Sequence, residues 1–282
     1  MNHYVLNLRV HGMFSNVNEV IQQLYLAEQN GYSFEIKWES SCYSDQHRKQ
    51  DPWLYFFEPC FDSHVLPEGE SLKPLKGGVV VACTKDNIIT PRREDGICNP
   101  LLLPKERQTA NRIIKKYLVL NKAVRDEISA FKQAKFGDYV IGLHIRGQGR
   151  NHGGAAALRA KHELEDGIPY SLYFQNVNET LKHHPNSQIF ICSDSEKVIR
   201  RVSQEYGDKV ISYHSTRSEF GEMHANHPKN KGMQFSGYKL GLDVLVEAYL
   251  LSEVDFYIHG NSNVANFVLC NNLDVPSIYV YS

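Results

Sequence analysis

No apolar run in this sequence approaches the roughly 20 residues needed to cross a bilayer. Nor does the start of the chain read as a secretory signal. Tyr4 to Val10 alternates and holds Arg9, so a basic segment followed by a continuous apolar core is missing. The six cysteines contain no CxxC pair, and Cys83, Cys192 and Cys270 sit in apolar runs as small buried hydrophobes. Such scatter fits reduced thiols better than a disulfide framework. The expected location is the cytoplasm, with work at a membrane surface still open to the protein. Net charge is −1, which removes any general pull toward nucleic acid or an acidic membrane. An anion site, if there is one, has to be local. Thirteen histidines are present, yet there is no HExxH and no His/Cys spacing of a zinc site. A P-loop and a complete GxGxxG are also missing, as is any flexible Gly/Ser linker.

At 282 residues the chain suits two domains. Its most informative stretch is Asp138 to His152, DYVIGLHIRGQGRNH. Tyr139 to Ile145 is a β-branched apolar run between Gly137 and Gly147 and predicts a buried strand. The strand end delivers His144 and Arg146, two residues apart and on one face if the strand persists that far. Gly147 and Gly149 follow. Arg and His beside a glycine-bearing loop at a strand's carboxyl end suit an anionic ligand, although a surface loop with a solvated Arg would read the same.

Before this stretch, Tyr4 to Val10 predicts a strand, with a turn around Gly12. A helix follows, with Ser15 or Asn16 as its N-cap and Val17, Val20, Ile21, Leu24 and Ala27 on one face. Phe34 to Trp38 predicts a second strand. Pro52 to Cys60, PWLYFFEPC, is either a packed aromatic cluster or the wall of a cleft. Gly77 to Cys83 predicts a further strand. Lys105 to Lys135 has a helical period that Asn121 breaks in two, and it ends at Gly137, where the domain boundary falls: residues 1–136 and 137–282.

The second half alternates strand and helix with short connections: helix to Leu181, strand 188–192, helix 196–206, strand 210–213, helix 238–251, strand 256–259, helix 264–269 and strand 277–281. The long polar segment 214–236 interrupts it. This pattern is a parallel, doubly wound sheet. The fold class is α/β, with two such domains facing across a cleft where the carboxyl ends of the strands meet. Those ends carry His144 and Arg146, then Ser193-Asp194-Ser195, Tyr213-His214, and His259 to Asn263. Ser262 precedes a helix and is either an N-cap or a phosphate ligand at the helix start. Glu247 is an acid on a helix that is apolar nearly all round, so it needs a partner. That partner is either the N1–H and N2–H edge of guanine or a basic side chain such as Lys239.

Taken in order, HIR, ICSDS and EAYLLSEVDFYIHGNSNVANF resemble the fucosyltransferase superfamily: the core α1,6-fucosyltransferases, the rhizobial nodulation enzymes and the protein O-fucosyltransferases. The resemblance is best over residues 138–282 and thinner before them, where HGMFSNVNEV resembles the family's N-terminal glycine loop. It implies a GT-B fold and an inverting transfer of fucose from GDP-fucose, with no required metal or other cofactor. It also implies an oligosaccharide or glycoconjugate acceptor. By position it would put Arg146 on the β-phosphate, His144 beside the guanosine, Asp194 at the fourth-block strand, Glu247 on guanine, and Ser262 with Asn263 on phosphate. Gly12 would face the diphosphate from the other domain. Several relatives read HxRR with an acid soon after. Here Gly147-Gln148-Gly149-Arg150 follows instead, which leaves Glu163, Glu165 and His152 as candidates for the general base. Transfer from another sugar nucleotide, or a non-catalytic sugar-nucleotide or glycan-binding module, are the rival expectations.

Overall fold

The computed structural model describes residues 3–8, 11–29, 31, 33–38, 41–60, 104–147, 168–219, 221, 223 and 236–280. The strand expected at 77–83 lies outside them, as do the three candidates for the general base.

Two parallel sheets organise these residues. The first pairs β1 (His3–Asn7) with β2 (Ser33–Lys37), joined by α1 (Met13–Gln29). The helix starts earlier than its local capping residues predict. Ser15 and Asn16 lie inside it, and their N–H groups reach the Gly12 carbonyl. The first free N–H, that of Met13, donates to the Tyr43 hydroxyl at 2.8 Å. A side chain from a distant loop therefore caps the helix, which is why a local signal misplaced its start.

A short 3-10 helix (Pro52–Tyr55) follows, and then α2 (Pro104–Tyr117) and α3 (Lys122–Lys135). Asn121 separates these two as expected, and its side chain accepts from Val124 N–H at 3.1 Å as the N-cap of α3. The aromatic stretch 52–60 is a packed cluster. Trp53, Tyr55, Phe56 and Phe57 are all buried, and Trp53 stacks on Phe57 at 4.2 Å.

The second sheet holds β3 (Val140–His144), β4 (Gln188–Cys192), β5 (Val210–Ile211), β6 (Phe256–His259) and β7 (Ser277–Tyr279). Its order is β5-β4-β3-β6-β7, all parallel. The connecting helices are α4 (Tyr170–His183), α5 (Glu196–Tyr206), α6 (Gly237–Leu251) and α7 (Asn263–Asn271). Side chains alternate across the sheet. Ile141, Leu143, Ile189 and Ile191 face a core with α4 and α5. Val140, Phe190, Cys192 and Tyr257 face a larger core that takes in α6, α7, α1–α3 and the first sheet.

Helix α6 comes unusually close to the first-sheet side. A Cβ on Gly237 would lie 2.6 Å from the Tyr43 carbonyl carbon and nearer still to the Ser44 oxygen. One turn on, a Cβ on Gly241 would lie 2.9 Å from a ring carbon of the buried Phe56. The two glycines share a helix face at i and i+4, so α6 meets the 41–57 segment backbone to backbone at Gly237 and takes the Phe56 ring against its own backbone at Gly241.

Candidate donor site at the switch point of the second sheet

In this strand order the chain leaves β3 toward β4 and leaves β6 toward β7, in opposite directions. The carboxyl ends of β3 and β6 therefore splay their connections apart and open a crevice, the usual ligand position of a doubly wound sheet. His144 and His259 are register partners at that point. The segment 145–147 and the turn 260–262 flank it.

β3 ends at His144, so His144 and Arg146 do not share a strand face. His144 is buried, and burial pulls its pKa down to about 3 against the opposing charge of Asp194. It is a neutral imidazole. Its Nδ1 lies 3.4 Å from Ser262 Oγ. Arg146 is exposed and makes no hydrogen bond or ion pair among the described residues. Its guanidinium is nevertheless close enough to favour ionisation of the Tyr43 phenol, which burial holds well above its usual range. That phenol is the cap on Met13, so the Arg146 charge is felt at the start of α1. Gly12, directly before α1, accepts from Ser15 and Asn16.

Asp194, just past β4, accepts the Gly147 N–H on Oδ1 at 2.7 Å and so fixes the segment carrying Arg146. Its backbone oxygen accepts from Ser218 N–H at 3.2 Å. Gly221 closes against this link at φ 89°, where a Cβ would lie 3.1 Å from both Asp194 Oδ1 and Gly147 Cα. Ser262 is the N-cap of α7, its Oγ accepting from Ala265 N–H at 2.9 Å. Asn263 opens that helix and accepts from Asn18 of α1 at 3.2 Å. The second turn of α1 is thus joined to the start of α7.

Glu247 is buried, as its apolar surroundings required. Its basic partner is Arg217 and not Lys239. Arg217 Nη2 is 2.8 Å from Glu247 Oε1, and Ser215 Oγ donates to the same oxygen at 2.6 Å. Lys239 pairs one turn along its own helix with Asp243. Position 239 is eight residues from Glu247, about 12 Å of helix rise, too far for a direct pair. Burial holds the Glu247 carboxyl up at about 7 although Arg217 and Ser215 pull it down.

The sites thus divide. His144, Arg146, Asp194, Ser262, Asn263 and Glu247 gather around the carboxyl ends of β3, β4 and β6, with Gly12 opposite. Glu163, Glu165 and His152 lie outside the described residues. Tyr43, Ser215, Arg217 and Gly221 were missed. Among the described residues no cluster of three or more His, Cys, Asp or Glu could hold a metal, and no helix is long and apolar enough to cross a membrane.

The family model for nodulation protein Z (NodZ) matches residues 84–279, well over half of the chain. The chain belongs to the NodZ family. Solved structures of similar fold include a NodZ α-1,6-fucosyltransferase co-crystallised with GDP, at 19% identity and TM-score 0.58, covering 99% of this chain and 94% of that one. The fucosyltransferase NodZ from Bradyrhizobium matches at 19% identity and TM-score 0.57 over the same shares. POFUT1 in complex with GDP matches at 9% identity and TM-score 0.55, covering 99% of this chain and 98% of that one. No curated protein matches the sequence. The expectation of an α/β glycosyltransferase of the fucosyltransferase superfamily is met, and the parallel sheets are those of a GT-B-like fold.

Proposed function

We propose that this NodZ-family protein transfers fucose from GDP-fucose to a hydroxyl of an oligosaccharide or glycoconjugate, with inversion and without a required metal. In this proposal residues 1–136 and 137–282 form two domains, and the donor lies in the cleft between them. One observation carries the donor site: Arg146 stands exposed just past the switch-point end of β3, within electrostatic range of Tyr43, which caps the start of α1. A diphosphate placed there meets a guanidinium able to grip two oxygens and a helix terminus that favours negative charge. GDP and GDP-fucose complexes of NodZ and of POFUT1 support the choice of donor.

The chemistry follows from those charges. As the acceptor oxygen bonds to C1 of the sugar from the face opposite the phosphate, the C1–O bond to the diphosphate breaks. GDP then leaves with the bonding pair. Arg146 stabilises the negative charge that grows on it. The acceptor proton passes to a general base, for which Glu163, Glu165 and His152 remain the candidates. His144 lies beside the guanosine as a neutral group. Glu247 accepts from the base, Ser262 and Asn263 border the phosphate, Asp194 holds the loop, and Gly12 admits close backbone approach.

Titration calorimetry with GDP on wild type and Arg146→Ala tests the donor site. Charge-assisted hydrogen bonds worth about 1.5–3 kcal/mol predict a loss of roughly 10- to 100-fold in affinity. Equal affinity in the variant removes the central contact.

A further inference from the structure

We infer that Arg217 is a positioning residue for nucleobase selection, which aims one oxygen of Glu247 at the donor's base. This deepens the donor reading above and rests on it. Arg217 follows β5 in a segment without regular secondary structure, yet its side chain is only 7% exposed. Its N–H groups are spread over four acceptors. Nε donates to Ser193 O at 3.0 Å, Nη1 to Ser215 O at 3.1 Å, and Nη2 to Tyr213 O and Glu247 Oε1, both at 2.8 Å.

A bidentate pair would join fork to fork, with two parallel bonds from one guanidinium to both carboxylate oxygens. Here only Nη2 reaches Glu247, and it shares Oε1 with the Ser215 hydroxyl. Both lone pairs of Oε1 are used. Oε2 takes no hydrogen bond from the described residues, and the Glu247 side chain keeps 11% exposure. A carboxylate with one oxygen saturated and its neighbour open has a fixed orientation and a remaining acceptor. A purine edge bearing an N–H and an adjacent amino group presents two donors on one side, which a single oxygen with two lone pairs can accept. A pyrimidine with a carbonyl at its corresponding edge would set acceptor against acceptor.

The same segment serves the phosphate end. Ser218 N–H bonds Asp194 O, Glu196 N–H bonds Ser218 O, and Thr216 N–H bonds Asp243 Oδ2 at 2.8 Å. Asp194 in turn holds Gly147 beside Arg146. Arg217 is thus the buried pin of a segment that touches both the acid and the loop of the candidate donor site.

Affinities for GDP and UDP, measured by calorimetry on wild type, Arg217→Lys and Ser215→Ala, test the inference. Lysine keeps the charge but cannot span three carbonyls and Oε1 together. Wild type is expected to prefer GDP. Arg217→Lys should lose at least tenfold in GDP affinity while UDP affinity stays within about twofold. Ser215→Ala should narrow the preference several-fold. A wild-type preference that persists undiminished in Arg217→Lys overturns the role of Arg217 and leaves the donor reading standing. If that variant does not fold, an undiminished preference in Ser215→Ala overturns it instead. Equal loss of GDP and UDP affinity assigns Arg217 to general structure and also overturns it. A wild type that binds GDP and UDP alike removes the base reading underneath.

Discussion

Gly237→Ala sets local propensity against tertiary contact, and the two give opposite signs. Gly237 is the first residue of α6, capped by Ser236. On propensity alone, alanine would stabilise the helix by up to about 1 kcal/mol. The structure leaves no room for it. The new Cβ would stand 2.6 Å from the Tyr43 carbonyl carbon and 2.9 Å from its Cα. Both are backbone atoms, so no side-chain rotation relieves the contact. Overpacking costs about 1–3 kcal/mol, and a backbone obstacle belongs at the upper end. Subtracting the propensity gain leaves a net loss of about 2 kcal/mol. At about 2–4 °C per kcal/mol for a chain of this size, the thermal midpoint should fall by roughly 4–8 °C. Urea unfolding should give a lower midpoint with an unchanged slope. A midpoint equal to or above wild type would refute the close approach of α6 to the 41–57 segment.

Asp194→Ala removes the acceptor of the Gly147 N–H. It should cost about 1–3 kcal/mol in urea unfolding and weaken GDP binding without any change at the phosphate ligand itself. Asn111 Nδ2 lies 2.8 Å from both Cys270 O and Asn271 O at the end of α7, so Asn111→Ala should cost a similar amount; an unchanged midpoint would show that water replaces it. Glu247 titrates near 7 when folded against an ordinary value of 4.5. Between those values the folded state holds a proton that the unfolded chain has lost, so this group's contribution to stability declines as pH rises from about 4.5 to 7. Subtracting Glu247→Gln from wild type across that range should reveal the decline, and a flat difference would contradict the raised value. His144 runs the other way. Its folded value of about 3 against 6.5 means that the unfolded chain takes up the proton first, so stability is lost as pH falls below about 6.5. His144→Gln should lessen that acid sensitivity.

The sequence by itself determined the parallel architecture of the second half. Short apolar runs alternating with amphipathic segments admit few other arrangements. It likewise located the break at Asn121, because an N-cap is a contact within one turn. It marked Glu247 as an acid in need of a partner, since burial of that helix follows from its apolar surroundings. Only the tertiary structure decided which partner. Arg217 stands in a polar segment with no period, where an arginine reads as solvated, and it is buried because the chain after β5 folds back over α6. Met13 begins α1 because Tyr43 caps it from 30 residues away. Residues that cap or pair across one helical turn announce themselves by spacing. Those brought together by the packing of separate elements leave no spacing to read.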